Sequence, residues 1–173
     1  MACFTTLYSG SSGNCAFLEE DGRFVLVDMG KSARATMRAL TQLGAQAKRL
    51  CGVMVTHEHS DHIAGLAVFL KKNPVPVYGT QATLQVLAQR GCVPPGVRLV
   101  PTDGRGEVDA GGFCVQSFST SHDSADCCGF RVRTPQGKTL AIATDLGYVS
   151  DEVLANLYMA DVVALEANYD LHM

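Results

Sequence analysis

The sequence predicts an α/β fold in which helices cover the outside of a sheet. Two observations carry this. Between residues 23 and 90, short apolar runs alternate with segments whose apolar residues recur at helical spacing, the signature of a sheet with helices outside it. Beyond Gly96 the texture changes to strands and turns, with one late helix. With 173 residues, 47% of them hydrophobic, the chain can bury a core of two or more layers within one domain, residues 1–173.

Phe4–Tyr8 reads as the first strand, ended by the turn Ser9-Gly10-Ser11-Ser12-Gly13. Cys15–Leu18 and Arg23–Val27 follow as strands joined at Glu20-Asp21-Gly22. From Ser32 to Leu43, Met37, Leu40 and Leu43 keep helical spacing, and Gly44 stops the helix. Leu50–Val55 is continuously apolar, as a strand buried on both faces requires. Ile63–Lys71 reads as a helix with Leu66, Phe69 and Leu70 inward, Val75–Tyr78 as a strand, and Thr80 as the cap of a helix reaching about Arg90. Strands are then expected at Arg98–Val100, Phe113–Phe118, Gly129–Arg133 and Thr139–Ala143, a helix at Asp151–Tyr158 and a strand at Val162–Leu165.

A net charge of -3 gives no bulk basic footprint for nucleic acid, although a local patch or a bound metal can still face phosphate. The seven cysteines show no disulfide-framework spacing, and an odd count without a signal peptide points to reduced thiols in a cytoplasmic protein. No segment approaches membrane-spanning length.

The chemistry concentrates in Thr56-His57-Glu58-His59-Ser60-Asp61-His62, where three of the five histidines crowd into one point directly after an apolar strand. Such a cluster is poor core material and good metal-ligand material. In an extended segment His57 and His59 share a side while Glu58 points away. A helix starting near Asp61 sends Asp61 and His62 in another direction, toward a neighbouring ion, or leaves Asp61 to hold a ligating histidine. The bland alternative is an exposed polar turn. His122, in Thr120-Ser121-His122-Asp123-Ser124, would alone pass for an ordinary loop histidine, but two histidines leave a zinc site short of a third ligand. Asp145 follows the strand Leu140–Ala143 and either caps a turn or lies between two cations, offsetting their repulsion. Asp28, at another strand end, reads as hydrogen-bonding support rather than a ligand. The Ser9–Asn14 loop lacks the spacing of a nucleotide-binding P-loop, and nothing local supplies a base for Ser11 or Ser12 as nucleophile. Its backbone N–H groups can still face a substrate.

The run His57-Glu58-His59-Ser60-Asp61-His62 resembles the H-x-H-x-D-H hallmark of the metallo-beta-lactamase superfamily. Gly10–Cys15, Thr56–Ile63, Ser119–Asp126, Ala143–Gly147 and Leu165–Asn168, in that order, are similar to the YycJ/WalJ (VicX) group. The resemblance implies an αββα sandwich with two divalent ions, zinc or manganese, at its open edge. It implies His57, His59 and His122 on one ion, Asp61 and His62 on the other, and Asp145 bridging, so that Asp61, His62 and Asp145 serve catalysis through a hydroxide between the metals. It further implies phosphodiester cleavage, 5'-to-3' on DNA. Ser11, Ser12, Asn14, Asp28, Ser121 and Asn168 are candidates for touching substrate or bracing the ligands.

Members of that group continue past the point where this chain stops, so the sequence reads as a domain incomplete at its C-terminus, with a weak or empty second metal site. His172 is a tempting substitute ligand, and a swapped dimer another way to complete the edge. Two further readings stay open. A small-molecule acyl hydrolase, of the lactonase or thioesterase kind, predicts a narrow apolar pocket beside the metals, whereas a nuclease predicts an open groove with Arg and Lys. A degenerate, non-catalytic scaffold predicts no metal-dependent stabilisation.

Overall fold

A computed structural model describes residues 1–103 and 106–166 of the chain. Two β-sheets lie face to face, with helices on both outer surfaces. The first sheet comprises β1 (Cys3–Tyr8), β2 (Cys15–Glu20), β3 (Arg23–Val27), β4 (Leu50–Met54), β5 (Val77–Gly79) and β6 (Leu99–Pro101), hydrogen-bonded in that order. Strands β1 to β3 are antiparallel, and β3 to β6 run parallel. The second contains β7 (Val108–Ala110), β8 (Phe113–Ser119), β9 (Cys128–Arg133), β10 (Thr139–Ala143) and β11 (Val162–Leu165), ordered β11-β10-β9-β8-β7, with only the β10–β11 pair parallel.

Strand periodicity explains the layering. On β3, Phe24 and Leu26 face the helices while Val25 and Val27 face the other sheet; on β4, Val53 and Met54 divide likewise. Outside the first sheet lie α1 (Ala33–Gln42), α3 (Leu66–Lys72) and α4 (Gln81–Gln89), which contribute Leu40, Leu66, Phe69, Leu70, Leu84 and Leu87 to this layer. Between the sheets, Val25, Val27, Met54 and Tyr78 meet Phe113, Val115, Phe130, Val132 and Ile142. On the far side, α5 (Asp151–Leu157) lays Val153 against Phe118 and Ala143. This is the αββα sandwich.

Two expectations are corrected. The helix read over Ile63–Lys71 is two pieces, a single turn α2 (Ser60–Ile63) and then α3. Gly65 separates them: its N–H donates to the Met29 carbonyl (2.9 Å), and a Cβ there would strike the Lys31 carbonyl. Strand β7, too short to show a pattern, had no counterpart in the sequence reading. All seven cysteines are free thiols. Among the described residues no helix is long and apolar enough to cross a membrane.

Candidate metal centre

The polar residues at the strand ends meet at one edge of the sandwich. Asp28 ends β3, His57 and His59 follow β4, His122 follows β8, and Asp145 follows β10. Two donor sets form among the described residues: His57, His59 and His122, and His57, His62 and Asp145, the donor atoms of each lying within 4.8 Å of one another. His59 Nδ1 and His122 Nε2 are 3.2 Å apart, and His62 Nε2 is 2.9 Å from Asp145 Oδ2. Asp61 stands at the rim, Oδ2 3.6 Å from His62 Nε2.

Backbone hydrogen bonds hold this arrangement. The Asp28–Gly30 segment is stitched to the α2 turn by Met29 N–H on the His62 carbonyl (2.7 Å), and to the Ser9–Asn14 loop by Gly30 N–H on the Asn14 carbonyl (2.8 Å). Asn14 N–H in turn donates to the Asp61 carbonyl (2.7 Å). Gly10 N–H on Asn14 Oδ1 then orients the Asn14 amino group toward Asp61 Oδ2 (3.3 Å) and His62 Nε2 (3.0 Å). Asp28 and Asp145 both adopt left-handed backbone conformations (φ 61° and 54°), which aspartate tolerates better than most residues and which recur at functional sites.

Asp28 is a hub. Its Oδ1 accepts from Thr56 N–H (2.9 Å), and its Oδ2 accepts from Thr56 Oγ1 and faces His62 Nδ1 (both 2.8 Å). Because the Thr56 hydroxyl spends its proton on Asp28, its oxygen is left to accept from His57 Nδ1–H at 3.0 Å. That fixes the tautomer with the lone pair on Nε2, a buried atom with no hydrogen-bond partner. A buried, deprotonated imidazole nitrogen beside two other imidazoles is what a divalent cation requires. Asp28→Asn is expected to lower metal affinity about 10- to 100-fold while leaving every ligand present, read by titration against a chromophoric chelator.

The protonation states diverge. Burial, with the His62 charge, pushes the His57 pKa down to about 4. For His62 burial also works downward, but the Asp28 charge and the hydrogen bonds to Asp145 and Asp28 outweigh it and raise the pKa to about 10. The hydrogen bond to His62 holds the Asp145 carboxyl below the usual range. Without metal, therefore, His57 is neutral and His62 is an imidazolium.

The remaining candidates fall into place by contact. Ser121 pins the loop after Asp145: its carbonyl accepts from Gly147 N–H (2.7 Å) and its Oγ from Tyr148 N–H (3.0 Å). Ser12 Oγ accepts from Lys31 Nζ (2.8 Å), and Ser11 lines the adjoining pocket. Asn168 and His172 lie outside the described residues. Sequence reasoning did not assign roles to three residues. Thr56 sets the His57 tautomer. Glu58, turned away from the ligands, accepts from Ala125 N–H (3.0 Å) and so anchors the His122 loop. Glu166 Oε2 accepts from Leu146 N–H (2.7 Å) beside Asp145. Each depends on a pairing distant in sequence, so no local signal marks it.

A sandwich that gathers imidazole and carboxylate groups at one edge defines a candidate centre for divalent cations. The chain belongs to the metallo-beta-lactamase superfamily: residues 23–172 match the family described as "Beta-lactamase superfamily domain". It is similar to exodeoxyribonuclease YycJ of Bacillus anthracis, with 35% identity over 98% of this chain and 64% of that protein. Exodeoxyribonuclease WalJ of Streptococcus pneumoniae is 31% identical over the same shares. The chain thus spans 64% of the length of these relatives. Among solved structures, the metallo-beta-lactamase fold protein YhfI from Bacillus subtilis superposes with a TM-score of 0.79 over 99% of this chain and 73% of that one, at 19% identity.

Proposed function

We propose that this metal-dependent hydrolase is a phosphodiesterase that shortens DNA from its 5' end. The observation that carries the reading is the convergence of six candidate ligand groups from the ends of three strands in a chain 35% identical, over nearly its whole length, to a named exodeoxyribonuclease. His57, His59 and His122 would hold one divalent cation, and His62 with Asp61 the other, with Asp145 shared between them. Such cations, zinc or manganese, supply Lewis-acid polarisation of phosphoryl oxygens and lower the pKa of water toward neutrality. Asp61, its carboxylate partly exposed at the rim, is placed to take the proton that water releases. Asn14 donates to Asp61 and so would orient its carboxylate. Ser11 and Ser12 offer backbone N–H groups that no acceptor among the described residues uses, so they can receive phosphate oxygens.

Incubating the protein with 5'-end-labelled DNA and manganese should release mononucleotides, and His59→Ala should abolish the release. Intact ends, or equal shortening by His59→Ala, would overturn the reading.

One observation favours a second reading, hydrolysis of a small acyl substrate. The cavity of about 560 Å³ beside Asp61 and Asp145 has no Lys or Arg in its lining, and Phe4, Tyr8, Val27, Ile142 and Leu165 form much of its wall. Thioester or lactone turnover by a sample inert toward DNA would select this alternative.

A further inference from the structure

We infer that the protein carries a second, anion-binding site for oligophosphate groups at the end of the first sheet opposite the metal centre. The parallel strands β3 to β6 send their C-terminal ends toward the metals. Their N-terminal ends frame a separate pocket of about 400 Å³, lined by Arg23 from β3, Lys48 and Arg49 just before β4, Cys51 on β4, Pro76 before β5 and Arg98 before β6. From Cys51 to His57 the chain advances six residues, roughly 20 Å at strand rise, so the two sites are well separated.

Four of the chain's 14 Lys and Arg residues therefore line one concavity of a protein whose net charge is -3. None of the four is in an ion pair among the described residues. The pocket's own carboxylate, Asp109, is engaged by the turn backbone, where Oδ1 accepts from Gly112 N–H (2.7 Å) and Oδ2 from Gly111 N–H (3.2 Å). Two of the guanidinium groups are placed against the pocket floor. A Cβ on Gly111 would come within 2.9 Å of Arg23 Nη2 and 2.8 Å of Cys51 Sγ, so glycine at this turn makes room for the Arg23 head. Arg98 interacts with the Tyr78 hydroxyl on the other side. Guanidinium and ammonium groups lining an open volume, four against the single carboxylate of Asp109, match the multiple oxygens of phosphate esters and anhydrides. The contrast with the metal-side cavity, which holds Asp28, Asp61, Asp145 and Glu166 and no cation, makes the molecule electrostatically two-ended.

The shared ligand chemistry is an oligophosphate, presented either as a free polyphosphate group or as the backbone of a nucleic acid. Calorimetric titration of inorganic tripolyphosphate into EDTA-treated protein tests it, since chelation removes any metal-borne phosphate binding. Binding is expected to weaken tenfold or more in the double variant Arg23→Gln/Arg98→Gln, to weaken also in Lys48→Gln/Arg49→Gln, and to persist unchanged in His59→Ala. A single-stranded phosphorothioate oligonucleotide that competes with tripolyphosphate and shows the same dependence identifies the backbone as the source; tripolyphosphate binding without competition identifies the free group. Absence of tripolyphosphate binding, or wild-type affinity in both double variants with unchanged melting curves, overturns the proposal.

Discussion

Gly30→Ala is expected to destabilise the protein by about 3 kcal/mol or more and to remove the second metal equivalent, although residue 30 is neither a ligand nor a neighbour of one in sequence. A Cβ at this position would run into the Asp61 carbonyl group and the Asn14 amide. Both belong to the backbone, and both are tied by the hydrogen bonds that join the Ser9–Asn14 loop, the Asp28–Gly30 segment and the α2 turn. No side-chain rotation relieves that collision. The three segments must move apart, carrying Asp61 and His62 with them. Gly106→Ala, where a Cβ meets nothing within 4 Å, is the matched control and should behave as wild type. Urea unfolding and a zinc titration on the same samples check both parts. Wild-type stability and stoichiometry in Gly30→Ala would mean that the stitching does not position the site.

The second large effect is a reversal in the pH dependence of stability on adding metal. In the metal-free protein His62 has its pKa raised to about 10 from the ordinary 6.5. The stability this provides is complete below pH 6.5 and disappears as pH rises toward 10, at a slope of about 1 kcal/mol per pH unit. His57, lowered to about 4, works in the opposite sense: its contribution is present above pH 6.5 and lost as pH falls toward 4. Between pH 7 and 9, then, the EDTA-treated protein should lose stability through His62, joined toward pH 9 by the buried thiols of Cys15, Cys127 and Cys128, whose pKa values burial also raises. Metal binding requires the His62 proton to leave, so apparent affinity at that ligand set should climb about tenfold per pH unit over the same interval. Melting temperatures with EDTA should fall from pH 7 to 9, while those with saturating zinc or manganese should hold or rise. Parallel trends with and without metal would show that His62 is not a ligand.

The fold and the site were legible to different depths, for physical reasons that particular residues show. His57, His59, Asp61 and His62 are consecutive, and their chemistry is visible because clustered imidazoles have no comfortable place in a core. The layered architecture followed from short apolar runs alternating with segments of helical periodicity; on β3 every residue after Arg23 is buried because its two faces serve different layers. His122 and Asp145 became interpretable only through the demands of the first cluster, since each alone fits an ordinary loop. The resemblance to known metal motifs gave them their places. What stayed hidden is set by long-range geometry. The break at Gly65 comes from the Lys31 carbonyl 34 positions earlier in the chain, which no helical periodicity records. Glu58 reads only as pointing away from His57 and His59, yet it is buried and holds the amide of Ala125. The tautomer of His57 depends on a proton that Thr56 gives to Asp28, 28 residues away. The basic pocket gathers residues 23, 48, 49 and 98 only once the parallel strands align their starting ends.

If the proposed function holds, His57, His59 and His122 bind one divalent cation, and Asp61 with His62 binds a second, with Asp145 shared between them. Titrating zinc into EDTA-stripped, dialysed protein at pH 7.5 against a chromophoric chelator tests it most directly. Two equivalents per chain should bind, the second more weakly because the His62 proton must be displaced. His62→Ala should retain the first equivalent and lose the second, and His57→Ala should lose the first. A single equivalent in the wild type at every pH up to 9, or unaltered binding in His57→Ala, would contradict the account.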